Sequence, residues 1–175
     1  MLTRRQFIKV GIAGAALLAA ARLLDRPRAA PATAYRVLDE AQARMVAVLV
    51  PVILAGSLPV EEAARAKAMR EVVESFDRAV SGLAPSVQDE IMQLFSFITF
   101  PPTRIAFAGL WAPLEDSSPE EIKAFLSRWR ASRFELQRVS YQALTQLIQA
   151  SWYDNPEAWA AIQYPGPPPL APKNT

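Results

Sequence analysis

The chain has 175 residues, 19 basic and 17 acidic side chains, 51% hydrophobic residues, and neither cysteine nor histidine. The two absences exclude a thiolate, a Ser-His or Cys-His nucleophile pair, iron–sulfur ligation and the usual haem ligands, and no disulfide can staple the fold. Six of the basic residues and one acidic residue fall in positions 1–34; the remainder carries 13 basic and 16 acidic side chains, a net charge of −3 with no basic face of the kind that neutralises nucleic-acid phosphates.

In chain order, the first element is an address label. Thr3-Arg4-Arg5-Gln6-Phe7-Ile8-Lys9 reads T-R-R-x-F-x-K, and an apolar run follows at residues 10–21. Paired arginines Arg4 and Arg5, with Phe7 and Lys9 at their spacing ahead of a moderately hydrophobic segment, are the pattern of a twin-arginine export signal. The run has only 12 residues, is interrupted by Gly11 and Gly14, and is closed by Arg22. A spanning helix needs about 20 apolar residues, so the run is too short to cross a membrane comfortably. Ala32-Thr33-Ala34 offers an Ala-x-Ala cleavage site, which predicts a leader of residues 1–34, a helical domain of 35–163 and a tail of 164–175. An uncleaved leader would instead leave the chain membrane-attached.

The domain of 35–163 reads as helices punctuated by Pro and Gly. Residues 38–53 are apolar at helical spacing (Leu38, Met45, Leu49, Val52), with Pro51 expected to kink or end the helix near Val50 and Gly56 to stop it. A second helix over residues 60–83 begins at Pro59 and Glu61-Glu62 and carries the stripe Met69, Val72, Val73, Phe76, Val80 and Leu83. Ser86 is expected to cap a third, bearing Ile91, Leu94, Phe95 and Ile98 and stopped by Pro101-Pro102. A short helix over residues 104–111 is expected next.

Ser118-Pro119-Glu120-Glu121 is a capping box opening a helix with Ile122, Phe125, Leu126 and Trp129 on its core side. A continuation or separate helix carries Leu136, Val139, Ala143, Leu144, Leu147, Ile148 and Trp152. The fold class is therefore all-α: an irregular bundle of five or six helices with an extended Pro-rich tail.

Carboxylates remain the only acid–base groups of note. Glu61-Glu62, Asp89-Glu90, Glu115-Asp116 and Glu120-Glu121 are adjacent in sequence, which sends the two side chains of each pair to different helix faces. As first-turn charges they are ordinary, and as catalytic pairs they are poor. Gly109 and Gly166 stand alone, so no Gly-rich phosphate loop exists. Independent catalysis, cofactor binding and a metal site are not expected in this chain.

The C-terminal stretch is different in kind. Trp152-Tyr153-Asp154-Asn155-Pro156-Glu157-Ala158-Trp159 leads through Tyr164 into Pro165-Gly166-Pro167-Pro168, and five of the 15 prolines lie between positions 165 and 172. Such a segment is extended and has no core of its own. Trp152 and Trp159 can either cap the bundle's own core or meet a partner. For Tyr164, Pro165, Gly166, Pro167 and Pro168 an interface is expected, because a pre-extended aromatic and Pro-rich segment loses little entropy on docking.

The leader T-R-R-x-F-x-K, the Cys-free helical body and the tail S-W-Y-x-x-P-x-x-W-x-x-I-x-Y-P-G-P-P together resemble the small subunit of bacterial periplasmic flavin dehydrogenases, the gluconate 2-dehydrogenase subunit 3-like proteins found with glucose–methanol–choline type oxidoreductases. The resemblance is sharp at residues 3–9 and 151–168 and generic elsewhere. It implies a non-catalytic subunit that carries the export signal for a folded partner, with FAD held by that partner and a cytochrome c subunit often taking the electrons. The interface residues would then be Trp152, Tyr153, Trp159 and Tyr164 with the prolines that follow. The alternatives are a stand-alone periplasmic or membrane-attached helical binding protein and, more weakly, an enzyme using carboxylates alone.

Overall fold

The computed structural model describes residues 35–161 and 164–165. The leader residues Arg4, Arg5, Phe7 and Lys9 and the tail residues Gly166, Pro167 and Pro168 lie outside the described residues.

The described chain is all α-helical: α1 (Glu40–Ile53), α2 (Glu62–Ser81), α3 (Pro85–Thr99), the single turn α4 (Pro101–Thr103), α5 (Pro119–Arg130), α6 (Glu135–Tyr153) and α7 (Pro156–Ala161). Among the described residues there is no strand, and no helix is long and apolar enough to cross a membrane.

Ahead of α1, residues 36–38 are held by one side chain. The carboxylate of Asp77 on α2 accepts the backbone N–H groups of Arg36 at 2.7 Å and of Val37 and Leu38 at 3.0 Å each. Asp77 is itself buried, so this is where the chain is fastened to the body. Asp39 then caps α1 in a reciprocal box with Gln42, its Oδ1 accepting from Gln42 N and Gln42 Oε1 accepting from Asp39 N. Helix α1 does not end near Val50 as Pro51 suggested. Pro51 sits in the last turn, where its missing N–H removes a single bond, and the N–H of Leu54 still reaches Val50 O at 2.9 Å. The chain turns at Gly56, whose φ of +82° only glycine adopts without strain.

Helix α2 begins on Glu61, whose two carboxylate oxygens accept from Ala63 N and Ala64 N. Of its expected stripe, Val72, Val73, Phe76 and Val80 are buried, while Met69 and Leu83 pack partly buried against the core. Helix α3 starts at Pro85, not at Ser86 plus one. Proline's fixed φ suits the first helical position, Ala84 supplies the cap backbone, and Ser86 makes no capping bond. The Gln88 amide meanwhile donates to Ser81 O and Leu83 O, closing the end of α2. Phe100, ahead of Pro101, is pushed to extended backbone and separates α3 from α4.

The short helix expected over 104–111 is a π-helical segment, Arg104–Ala108, closed at Gly109 with φ +66°. The capping box of α5 is as read: Ser118 Oγ accepts from Glu121 N at 3.3 Å and Glu121 Oε2 accepts from Ser118 N at 2.8 Å. Residues 131–134 break the chain, so α6 is separate from α5.

Helix α6 packs on α2 more extensively than any other pair, with α1 on α2 and α5 on α6 completing the bundle. The core joins Leu49 and Val46 of α1, Phe76 and Val72 of α2, Phe95 of α3, Phe125 and Trp129 of α5, and Leu144, Ile148 and Trp152 of α6. Leu136 and Val139, expected in that core, lie outside it at 58% and 51% exposed.

Candidate functional site

The aromatic residues before the tail divide between core and surface. Trp152 is only 2% exposed and belongs to the bundle's own core, so it presents no surface to a partner. Its position on α6, one turn after Ile148, places it on the stripe that faces α2. Tyr153, the next residue, is exposed at the end of α6. Trp159 on α7 packs half-buried against the core, and its indole N–H donates to Tyr153 O at 2.7 Å. Tyr164 lies edge-on to Trp159 with ring centroids 5.7 Å apart, its N–H bonded to Trp159 O, and it and Pro165 are exposed. Trp159, Tyr164 and Pro165 thus form one small aromatic corner, while Trp152 stands apart from it.

That corner is fixed to α2 by polar contacts. Lys67 pairs with Glu157 at 2.7 Å and with Glu71 at 3.4 Å, and Asn155 Nδ2 donates to Glu71 Oε2. Glu157 first and Glu71 second hold the Lys67 ammonium above its ordinary pKa. The backbone N–H groups of Ala63 and Ala64 hold Glu61 below the usual carboxylate range, and the backbone and hydroxyl of Ser118 do the same for Glu121. All three shifts come from helix capping or ion pairing at exposed positions, not from a desolvated pocket of the type that tunes a catalytic group. Among the described residues no group of three or more acidic side chains is arranged to hold a metal ion.

A larger feature lies elsewhere. Helices α3 and α6 leave between them a groove of about 410 Å³, lined by Val87, Leu94 and Phe97 on one wall and Leu136, Val139 and Leu147 on the other, with Phe107 at one end. Glu90 is its one charged wall residue. Phe107 ties the groove to the core, since its ring lies 5.7 Å from that of Phe97 and 5.2 Å from that of Trp129. A second cleft of about 430 Å³ runs between α1 and α2 beside Tyr35, but Glu40, Arg44 and Arg70 stand among its walls. It carries three charged side chains on its walls where the first carries one.

A signal for the groove was present in the α6 sequence. At 100° per residue, Leu136, Val139, Ala143 and Leu147 form one stripe and Leu144, Ile148 and Trp152 another, centred roughly 135° away. Together they cover about twice the arc that one packed face requires. One stripe meets α2; of the other, Leu147 packs partly against the core while Leu136 and Val139 stay exposed.

Fold and site therefore define an irregular all-α bundle with an open two-helix apolar groove and an aromatic C-terminal corner. No family model, no curated protein and no solved structure matches this chain.

Proposed function

We propose that this chain is a non-catalytic accessory subunit, exported to the periplasm through its twin-arginine leader, that binds a folded flavin-dependent dehydrogenase of alcohol or sugar type and carries it across. The observation that supports this reading best is the groove between α3 and α6. Leu136 and Val139 are large apolar side chains left open on a folded helix, and contiguous exposed apolar surface marks sites where another macromolecule docks. The leader supplies the address, the resemblance supplies the partner class, and the exposed Tyr164 and Pro165 extend the surface a partner can use. FAD belongs to the partner in this reading, and a cytochrome c subunit can accept its electrons.

The test is the double substitution Arg4→Lys with Arg5→Lys. Both positions belong to the leader, ahead of the helical domain in sequence, so the expected result is unchanged melting while this chain and its flavoprotein both remain in the cytoplasm. Periplasmic accumulation of both proteins in the variant would sink the carrier role.

A further inference from the structure

Three carbonyls of the segment that follows α4 each accept a hydrogen bond from a different side chain. Gln137 Nε2 donates to Phe107 O at 2.6 Å, Arg128 Nη2 to Gly109 O at 3.2 Å and Arg104 Nη2 to Trp111 O at 3.2 Å. The turn between them is made by Gly109 in the left-handed region, and the π-helical Arg104–Ala108 precedes it. On this braced loop the indole of Trp111 is 83% exposed.

Charge is as unbalanced as burial. Among the described residues, neither Arg104 nor Arg128 forms an ion pair with a carboxylate. The Arg104 side chain is buried, and its Nε has no hydrogen-bond partner. A buried guanidinium without a counter-charge is costly, and an acid brought by a partner relieves that cost.

We propose that Trp111 is the anchor by which this chain docks on its flavoprotein, the indole entering an apolar pocket of that protein while a carboxylate on the pocket rim pairs with Arg128 and offsets the charge of Arg104. This rests on the accessory-subunit reading above and names the surface it uses. Tryptophan and arginine are the residues most enriched among interface anchors. A loop already fixed by three side-chain bonds gives up little conformational entropy when it is captured. The α3–α6 groove adjoins this site through Phe107, so one docking face can take both. A second copy of this chain fits poorly, because a two-fold contact at this loop would set Arg104 and Arg128 against their own images.

The experiment uses the full chain co-expressed with a flavin dehydrogenase of the glucose–methanol–choline type from the same genome that has no export leader of its own, with affinity read by titration of the purified components. Trp111→Ala should weaken the complex roughly 30-fold while far-UV circular dichroism and melting stay as in the wild type, since the side chain is exposed. Arg128→Glu should weaken it more than Arg128→Lys, by a factor that shrinks as salt rises. Failure of the wild-type chain to bind the flavoprotein overturns the accessory reading and this inference with it. Wild-type affinity in Trp111→Ala and in Arg128→Glu overturns the inference alone. Self-association of the isolated chain, or its sedimentation with phosphatidylglycerol vesicles, that is lost in Trp111→Ala would assign the anchor to a second copy or to a membrane and also overturn it.

Discussion

Replacing Asp77 by alanine should remove about 3–6 kcal/mol of stability, a large part of the roughly 5–15 kcal/mol that holds a domain together. Its Oδ1 accepts from Val37 and Leu38 and its Oδ2 from Arg36. Arg36 is exposed, and its N–H can return to water. Leu38 is buried and Val37 half-buried, so alanine strands their two donors, at about 1.5–3 kcal/mol for each bond to a charged acceptor. Asparagine keeps one oxygen and can leave it facing Val37 and Leu38. Asp77→Asn should therefore cost less, about 1–2 kcal/mol, from the loss of charge and of the exposed Arg36 bond. Urea unfolding of the full chain, followed by far-UV circular dichroism, reads both as shifts of midpoint at constant slope. An alanine variant with the wild-type midpoint would refute the reasoning, as would an asparagine variant as damaged as alanine.

Trp152→Ala should cost about 3–5 kcal/mol by opening a cavity in the core, whereas deleting residues 164–175 should leave the melting of the isolated chain nearly unchanged; thermal denaturation separates the two. Leu136→Asp with Val139→Asp should alter stability by no more than about 0.5 kcal/mol per site yet reduce binding of a dye such as ANS, because both side chains line open surface. Glu61 and Glu121 have lowered pKa values, so the stability they supply is complete above the ordinary carboxylate range and is lost as pH falls through their own lower values. Lys67 has the opposite sign: its contribution is complete below the ordinary lysine value and is lost as pH rises through its elevated one. Melts across the acid and alkaline limbs should show both declines, and Glu61→Gln with Glu121→Gln should flatten the acid limb.

What was legible in the sequence was local. Ser118 and Glu121 form their capping box because the two residues need only each other and the backbone between them. Gly56 turns where it was expected to, since a left-handed turn needs glycine wherever it occurs. The stripe Val72, Val73, Phe76 and Val80 is buried because its spacing is that of the helix itself. Errors arose where a distant segment decides. Asp77 reads as one more charge on α2 until residues 36–38, some forty positions earlier, bring their N–H groups to it. Leu136 and Val139 have the residue types of a core, and although the apolar arc of α6 is too wide for one packed face, the placement of its neighbours decides that these two are the ones left open. Trp111 gave no signal beyond its type, since its interest lies in Arg104, Arg128 and Gln137 meeting around one loop.

The packing of α6 on α2 has a consequence in time. Synthesis delivers residues 1–34 first, but the buried face of α2 stays open until residues 135–153 have been made. At the usual pace of translation that interval is roughly 6–24 s. Two packed helices whose sequences lie this far apart cannot close earlier, however strong their local propensity. Anything that reads the leader therefore meets it on a body still missing one wall, and whether it waits becomes a contest between its own binding rate and the rate at which α6 docks. A substitution in α6 that slows docking, with the leader unchanged, would lengthen that exposure.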